Sequence, residues 1–254
     1  MAWNPEVYNK FKSERFAPFY DLLALVHVKP GMEVIDLGCG TGELTRKLAD
    51  TLPGSNVLGI DSSQEMLNDS KAFENEQVKF ECRSIEEQLK SDKKWDLVFS
   101  NAAIQWVGNH EVLLPEIISK IRKNGQLLIQ IPDQQQNISN KILNEMADEE
   151  PFKVILKDWK RTSPVLDIDS YAQIFFENGS KSMTVYEKIY PLILEDSNAL
   201  FDWVSGTALI PYLEKLEGDY KQNFSDQYRI LLKNKFPGSP VFYSFKRIIL
   251  EATF

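Results

Sequence analysis

Hydrophobic and polar positions alternate along the first half of the chain in a pattern that predicts helices and strands in turn. Apolar residues from residue 5 to about residue 26 recur at helical spacing and stop at Lys29-Pro30-Gly31, which predicts an N-terminal helix broken near Pro18. Short apolar runs then alternate with amphipathic segments, at residues 33–37, 57–60, 78–80, 96–99 and 126–131. Strands that alternate with helices are typical of a parallel sheet with helices on both faces.

The second half of the chain has a different pattern. Residues 138–180 and 196–236 are helix-like, and the runs 183–194 and 241–253 favour strands. We expect these two strands to form an antiparallel pair at the edge of the sheet, with the helical segments covering its carboxyl-end rim. The predicted fold is a Rossmann-like, doubly wound α/β sheet, mostly parallel, with a helical cover.

The predicted organisation is a single domain with four parts. A helical lid (1–30) precedes a ligand-binding core (31–132), which is followed by a helical cover with one strand (133–240) and a final strand (241–254). A chain of 254 residues can bury a core of this kind as one domain.

A glycine-rich segment follows the first predicted strand. Gly38, Gly40 and Gly42 come directly after the apolar run at 34–37 and before a helical run. A glycine turn between strand and helix places main-chain amides at the switch point where doubly wound sheets bind ligands. The spacing is Gly-x-Gly-x-Gly with Asp36 two residues ahead, and it differs from the Gly-x-Gly-x-x-Gly of dinucleotide folds. This difference favours S-adenosylmethionine over NAD.

Two acids near this loop suit S-adenosylmethionine, which carries an ammonium, a carboxylate and a sulfonium but no phosphate. Asp36, beside the glycines, has a cation to bind. Asp61 ends the second predicted strand about 20 residues after the last glycine, and its carboxylate can accept both ribose hydroxyls. Cys39 in the loop, and Ser62 and Met66 after Asp61, complete the predicted cofactor contacts in this part of the chain.

The glycine loop and its two acids resemble the class I methyltransferases. Asn101 and Ala102, after the fourth predicted strand, look like the stretch that members of this class place beneath the methyl donor. The resemblance implies S-adenosylmethionine as cofactor and adds Asn101 and Ala102 to the residues that contact it.

The likeness is nearest to the trans-aconitate 2-methyltransferase group and spans nearly the whole chain. The segment with Trp3-Asn4-Pro5, Tyr8 and Arg15 is similar to that group's N-terminal helix, and residues 203–211 are similar to its C-terminal signature. The resemblance implies O-methylation of a small organic acid. The predicted acceptor contacts are Arg15, Gln105, Trp203 and Ile210, although ordinary packing is an alternative role for Trp203 and for the N-terminal residues.

The chain departs from this group's pattern at two positions. Relatives usually have arginine where this chain has Ile210, and an arginine fork suits a polycarboxylate better than isoleucine does, which counts against trans-aconitate itself. The adenine is expected to meet an aspartate where this chain has Ser84, so Ser84 and Ile85 are the predicted adenine contacts. For an anionic acceptor, another cation must replace the missing arginine, and the candidates are Arg15, Lys246 and Arg247.

Methyl transfer to a carboxylate needs no general base, since the donor is reactive and the enzyme contributes positioning and exclusion of water. The predicted catalytic residues are therefore Trp106 as a wall of the site and Tyr8 closing over it, with a place in the core as the alternative for Trp106. A hydroxyl acceptor would need a base, and His110 is the first candidate. The alternative for His110 is a surface position, with Asn109 capping the helix that follows.

Composition bears on location and partners. The formal net charge of −8 argues against a nucleic-acid surface, and no apolar run approaches the roughly 18 residues of a membrane span. The two cysteines lack the spacing of a zinc site, and residues 1–6 do not read as a secretory signal. We expect a cytoplasmic protein, a monomer or homodimer, with a small-molecule partner and no metal, nucleic acid or membrane.

Other classes of function stay open on the sequence. The acceptor could instead be an acyl thioester acid or a hydroxyl compound. The departures at Ile210 and Ser84 leave a non-catalytic S-adenosylmethionine-binding module as an alternative. Nicotinamide-dependent redox chemistry shares only the α/β pattern, and the glycine spacing speaks against it.

Overall fold

A computed structural model describes residues 12–254, with side chains from Phe16 onward. The chain divides into two compact units. A sheet unit comprises Ala17–Pro132, Pro164–Lys188 and Arg247–Phe254, and a helical unit contains Asp133–Ser163 and Ile189–Lys246. The predicted helical cover ran unbroken from 133 to 240, whereas residues 164–188 group with the sheet. None of the described helices is long and apolar enough to cross a membrane.

Seven strands form one sheet in the order β3-β2-β1-β4-β5-β7-β6. Strands β1 to β5 pair in parallel, and β7 pairs antiparallel with β5. The start of β6 lies beside the end of β7, where Lys181 N donates to Thr253 O at 2.8 Å. The fold class predicted from the sequence is confirmed. The strands are β1 Glu33–Leu37, β2 Asn56–Asp61, β3 Val78–Cys82, β4 Trp95–Asn101, β5 Ile121–Pro132, β6 Ser182–Leu194 and β7 Val241–Thr253.

Eleven α-helices lie in the described part of the chain. Short 3₁₀ turns at Ser70–Phe73 and Ile104–Trp106 and a π-helical turn at Ser205–Leu209 complete the secondary structure. The helices are α1 Lys12–Ala24, α2 Glu43–Asp50, α3 Gln64–Leu67, α4 Ile85–Leu89, α5 His110–Ser119, α6 Ile138–Ala147, α7 Phe152–Ile155, α8 Ile168–Glu177, α9 Ser197–Val204, α10 Ile210–Lys215 and α11 Asp219–Lys235.

Helix α1 continues through Pro18, so the predicted break is wrong. Proline removes one main-chain donor, but packing of the apolar face can offset that loss. Phe19 and Leu22, one and four residues further on, are fully buried in the core with Val34 and Phe99. The Phe19 and Phe99 rings meet edge to face with centroids 5.8 Å apart.

The sheet unit buries apolar side chains on both faces, as a doubly wound sheet requires. One cluster holds α1 and α2 against one face, and the other includes Leu127, Ile129 and the α8 residues Tyr171 and Phe175. Successive residues of β5 alternate between the two clusters, since Leu128 belongs to the first. This packing leaves the carboxyl ends of β1, β2 and β4 to continue into loops.

The helical unit has its own core, which is rich in aromatic side chains. Phe224 of α11 packs edge to face on Phe152 with centroids 4.7 Å apart and stacks on Tyr212 at 5.3 Å. The Tyr212 hydroxyl donates to Asn144 Oδ1 at 2.6 Å. Trp203 is buried in the same cluster and meets Phe245 edge to face at 5.5 Å.

Candidate active site

The glycine loop joins β1 to α2 with three residues in the left-handed region. Gly38, Gly40 and Gly42 have φ angles of 80°, 57° and 82°. A Cβ on Gly38 would lie 2.1 Å from Cβ of Ala103, which follows β4. A Cβ on Gly42 would lie 2.7 Å from the Phe80 ring. These two glycines therefore allow both the turn and the close approach of neighbouring chain.

The amides of this loop point into the protein. The N–H groups of Gly38 and Cys39 both donate to Ile60 O, at 2.8 and 2.9 Å, and Gly40 N donates to Asp61 Oδ2 at 3.0 Å. A phosphate cradle needs such amides directed at the ligand. Their orientation here fits a ligand without phosphate, as the glycine spacing predicted.

Asp61 is held at both carboxylate oxygens. Besides the bond from Gly40, Oδ1 accepts from Ser63 N at 2.8 Å, and the Ser63 hydroxyl caps α3 by accepting from Met66 N. Asp61 is half-buried at the end of β2, Ser62 is exposed and Met66 is half-buried. Each Asp61 oxygen keeps lone-pair capacity for one further donor. The carboxylate is thus oriented by the main chain and able to accept two ligand hydroxyls.

Asp36 lies beneath this loop and not on its surface. Its side chain is buried, and Oδ2 accepts from the Thr45 hydroxyl of α2 at 2.5 Å. Burial raises the pKa of Asp36 to about 7, partly offset by the Thr45 bond, and the nearby Asp61 charge adds to the rise. Burial likewise raises the pKa of the Cys39 thiol. The structure places Asp36 as a support that ties the loop to α2.

The loop after β4 carries a second group of predicted contacts. Ala102 has a φ of 56°, unusual for a residue with a side chain, and its N–H donates to Gln130 O at 2.7 Å. Gln105 Nε2 donates to Ala102 O at 2.6 Å. Gln105 Oε1 is buried and has no hydrogen-bond partner among the described residues. A buried acceptor without a hydrogen-bond partner is rare in a protein interior, and this oxygen could accept a hydrogen bond from a ligand.

Trp106 follows Gln105 and is 58% exposed. Its ring is therefore not a core side chain, which was the alternative to an active-site wall. Asn101 ends β4 and is half-buried.

Ser84 has a structural task at the start of α4. Its hydroxyl accepts from Glu87 N, and the Glu87 carboxylate accepts from Ser84 N, both at 3.2 Å. This reciprocal pair is a capping box, which stabilises the first turn of a helix. Ile85 is buried against the sheet. The hydroxyl proton of Ser84 is still available to a neighbouring acceptor.

His110 is buried, with 1% of its side chain exposed, so the surface alternative is wrong. Its Nδ1 lies 2.6 Å from the Tyr171 hydroxyl and its Nε2 lies 2.9 Å from Ile104 O. Asn109 has a φ of 53° and makes no side-chain cap to α5. Burial lowers the pKa of His110. With both ring nitrogens bonded inside the protein, His110 is poorly placed to act as the base predicted for a hydroxyl acceptor.

The remaining predicted residues belong elsewhere. Tyr8 lies outside the described residues, and only the main chain of Arg15 is described, within α1. Trp203 is a core residue of the helical unit, which favours the packing role left open for it. Ile210 is half-buried and begins α10 after the π-helical turn.

Several residues that form hydrogen bonds with the predicted site residues could not be identified from the sequence. Thr45, Ser63 and Tyr171 meet Asp36, Asp61 and His110 through contacts that the fold creates. Only Ser63 has a local signature, since a serine before a short helix often serves as its N-cap.

Comparison with known proteins gives the chain its family. A family model described as a methyltransferase domain matches residues 28–183. A trans-aconitate 2-methyltransferase from Deinococcus radiodurans is 39% identical, over 100% of this chain and 98% of that protein. Another from Mycobacterium tuberculosis is 32% identical, over 98% of this chain and 96% of that protein.

Solved structures share the fold at low identity. The YcgJ protein from Bacillus subtilis aligns with a TM-score of 0.59 and 13% identity, over 93% of this chain and 97% of that chain. Haemonchus contortus phosphoethanolamine N-methyltransferase 2, in complex with phosphomonomethylethanolamine and S-adenosylhomocysteine, aligns with a TM-score of 0.56 and 19% identity, over 93% of this chain and 52% of that chain.

The doubly wound sheet, the Gly-x-Gly-x-Gly loop with its acid on β2 and the matching domain model together define a class I S-adenosylmethionine-dependent methyltransferase. Within that class, the chain belongs to the trans-aconitate 2-methyltransferase family.

Proposed function

We propose that the enzyme transfers the methyl group of S-adenosylmethionine to a carboxylate oxygen of a small polycarboxylic acid of the trans-aconitate type. The observation that carries this proposal is the 39% identity, along the full length of both chains, to a relative named for that acid. The likeness includes the helical unit as well as the cofactor loop, so it extends beyond features that all methyltransferases share.

The residues of the sheet unit fit the cofactor. Asp61, fixed by Gly40 N and Ser63 N, would accept the two ribose hydroxyls. The orphaned Gln105 Oε1 would accept from the ammonium group, which is a donor without acceptor capacity. Asn101, Ala102, Ser62 and Met66 border this region, with Ser84 and Ile85 as the adenine contacts. Asp36 would act through the loop it supports.

The bound cofactor supplies an electrophilic methyl group on a sulfonium. In the transfer, the bond from sulfur to the methyl carbon breaks and a bond from a carboxylate oxygen to that carbon forms, which yields a methyl ester and S-adenosylhomocysteine. A carboxylate is already ionised at neutral pH, so no residue has to remove a proton. The engagement of both His110 nitrogens is consistent with this chemistry.

The chain's contribution is position and exclusion of water. The exposed Trp106 indole, directly after Gln105, would form a wall against which the acceptor rests. The roles of Tyr8, Arg15, Trp203 and Ile210 at the acceptor stay predictions, as do the helical lid and cover. The same holds for the cytoplasmic location, the monomeric or homodimeric state and the absence of nucleic acid as a partner.

The test is incubation with methyl-labelled S-adenosylmethionine and a panel of acceptors: trans-aconitate, tricarballylate, a monocarboxylic acid, an amine and a hydroxyl compound. We expect label in the polycarboxylic acids only. The product should release methanol in mild base, as an ester does and an ether or amine does not. Label confined to amines or hydroxyl compounds would refute carboxyl methylation. Binding of the cofactor without turnover of any acceptor would favour the non-catalytic module.

A further inference from the structure

The loop after β4 closes on itself around a buried histidine. The 3₁₀ turn Ile104–Trp106 is followed four residues later by His110, the first residue of α5. His110 Nε2 lies 2.9 Å from Ile104 O, and Nδ1 lies 2.6 Å from the Tyr171 hydroxyl of α8. All of these residues belong to the sheet unit. The imidazole therefore connects the turn to two helices of the same unit.

The partners of the ring fix its tautomer. Ile104 O is a main-chain carbonyl oxygen and can only accept, so Nε2 carries the proton. Nδ1 of the neutral ring then has a lone pair, and the Tyr171 hydroxyl donates to it. The Tyr171 oxygen in turn accepts from Leu166 N at 3.1 Å. Burial lowers the pKa of His110, so the ring is uncharged at neutral pH.

The turn that His110 holds carries two of the proposed ligand contacts. Gln105 follows Ile104, and its Nε2 donates to Ala102 O at 2.6 Å, which leaves the buried Oε1 for the cofactor. Trp106 comes next and presents its exposed indole as the proposed wall. A change in the direction of this turn would therefore move both contacts together.

The direction of the turn depends on the Ile104 carbonyl. Its oxygen lies in the same planar peptide unit as Gln105 N, so fixing the oxygen fixes the plane from which Gln105 emerges. Val107 N also donates to Ile104 O, at 2.9 Å, but that bond is internal to the turn and moves with it. Short 3₁₀ turns have few hydrogen bonds of their own. The bond from His110 ties the turn to α5 and, through Tyr171, to α8.

We propose that His110 is a positioning residue for methyl transfer: as the Nε2-protonated tautomer, held by Tyr171, it fixes the peptide between Ile104 and Gln105 and so aims Gln105 Oε1 at the ammonium group of the cofactor. This inference rests on the placement of the cofactor in the proposed function. In this role His110 transfers no proton and acts through the turn.

The tautomer can be measured in the wild-type protein, so this test does not depend on a variant that folds. The chain contains two histidines, so NMR of isotope-labelled histidine shows two rings, and His27→Gln assigns them. We expect the His110 ring at neutral pH to carry its proton on Nε2 alone. A proton on Nδ1, or a ring that exchanges between both tautomers, would overturn the inference.

Two substitutions at His110 separate the roles of the ring nitrogens. The amide nitrogen of glutamine can take the place of Nε2 and donate to Ile104 O, whereas that of asparagine extends only as far as Nδ1. We would titrate S-adenosylhomocysteine by calorimetry into the full-length wild type and both variants. We expect His110→Asn to weaken binding about tenfold or more, as for loss of one hydrogen bond to a charged group, and His110→Gln to stay close to wild type.

Ser55→Ala is the control for loss of stability alone. The Ser55 hydroxyl is buried and accepts from Met32 N at 3.0 Å, at the amino ends of β1 and β2 and so at the edge of the sheet opposite the turn. Its removal should lower the melting temperature and leave the Kd for S-adenosylhomocysteine unchanged. A purely structural role for His110 predicts that His110→Gln and His110→Asn bind S-adenosylhomocysteine equally, and equal Kd values would overturn the inference.

Turnover separates this inference from the proposed function. With a carboxylic acid that the wild type methylates, His110→Asn should lower kcat by up to about 100-fold, and His110→Gln should restore most of it. If the wild type methylates no carboxylic acid while the Kd values follow the predicted order, the proposed function fails and the inference stands. If both variants methylate the acid at the wild-type rate, the inference fails and the proposed function stands.

Discussion

Replacing Gly38 by alanine tests the contact between the glycine loop and the loop after β4. The added Cβ would lie 2.1 Å from Ala103 Cβ, where carbon atoms normally approach to about 3.5–4.0 Å. One of the two loops must therefore move by more than an ångström. The φ of 80° at Gly38 adds a second penalty, because alanine is disfavoured there.

Gly31→Ala separates these two effects. Gly31 has a similar φ of 71°, and its added Cβ would meet no atom within 4 Å. The left-handed conformation destabilises both variants by about 1–2 kcal/mol. Overpacking destabilises Gly38→Ala alone by about 1–3 kcal/mol more. The free energy of unfolding should differ by that second amount. In a protein of this size, it corresponds to a melting temperature lower by about 2–12 °C.

Cofactor affinity provides the second readout. A shift of Ala103 displaces its neighbour Ala102, and loss of a single hydrogen bond to the ligand would weaken binding about tenfold. We expect calorimetric titration with S-adenosylhomocysteine to show this loss for Gly38→Ala and wild-type affinity for Gly31→Ala. If the two variants had the same free energy of unfolding and the same affinity for S-adenosylhomocysteine, the close approach of Gly38 to Ala103 would be refuted.

Three further predictions follow from the site. Asp61→Asn should raise the Kd for S-adenosylhomocysteine, measured by calorimetry, about tenfold or more, because each hydrogen bond to a charged group is worth about 1.5–3 kcal/mol. The control is Glu81→Gln, at an exposed position on the neighbouring strand, which should leave the Kd unchanged. The pKa of Asp36 is raised from its ordinary value of 3.8 to about 7, so the folded chain binds a proton at Asp36 more tightly than the unfolded chain does. The free energy of unfolding therefore falls as the pH rises from 3.8 to about 7, by about 4 kcal/mol in total. The melting temperature of Asp36→Asn relative to wild type should therefore increase from pH 5 to pH 8, and a difference independent of pH would contradict this. Tyr171→Phe removes a partner of buried His110 and should lower the free energy of unfolding in urea by about 1–3 kcal/mol, while the pH profile of kcat stays unchanged if His110 is not a base.

Local patterns were sufficient for the sheet and for the cofactor loop. The run at residues 33–37 matches β1, and the other four parallel strands fall at the predicted places because each contains a short segment rich in apolar residues. The start of β5 was missed by five residues, since residues 122–124 are exposed and polar and carry no apolar signal. The glycine motif was visible for the same reason as the strands: strand, turn and helix follow one another without a gap.

Local sequence patterns did not predict which side chains are buried or which distant residues form hydrogen bonds with each other. His110 meets Tyr171 across 61 positions, and Gln130 meets Arg247 across 117. Asp36 was predicted to bind a cation of the ligand, whereas its side chain is buried and bonded to Thr45 of α2. The same local sequence suits an acid that faces the ligand or one that faces α2. Which of these occurs depends on the packing of α2 and β2 around it, because desolvation and hydrogen bonds arise only when separate segments come together.

The donor and the acceptor of the methyl group differ in this respect. A contiguous strand–loop–helix unit with an acid on the next strand specifies the donor, and it can be read along the chain because its residues are neighbours in sequence. The residues predicted to contact the acceptor are far apart in the sequence, and spacing along the chain does not show how distant strands come together. It does not show, for example, that Arg247 on β7 pairs with Pro132, two residues beyond Gln130 on the same face of the sheet. Strand register, set by burial of both faces of the sheet, brings these residues together.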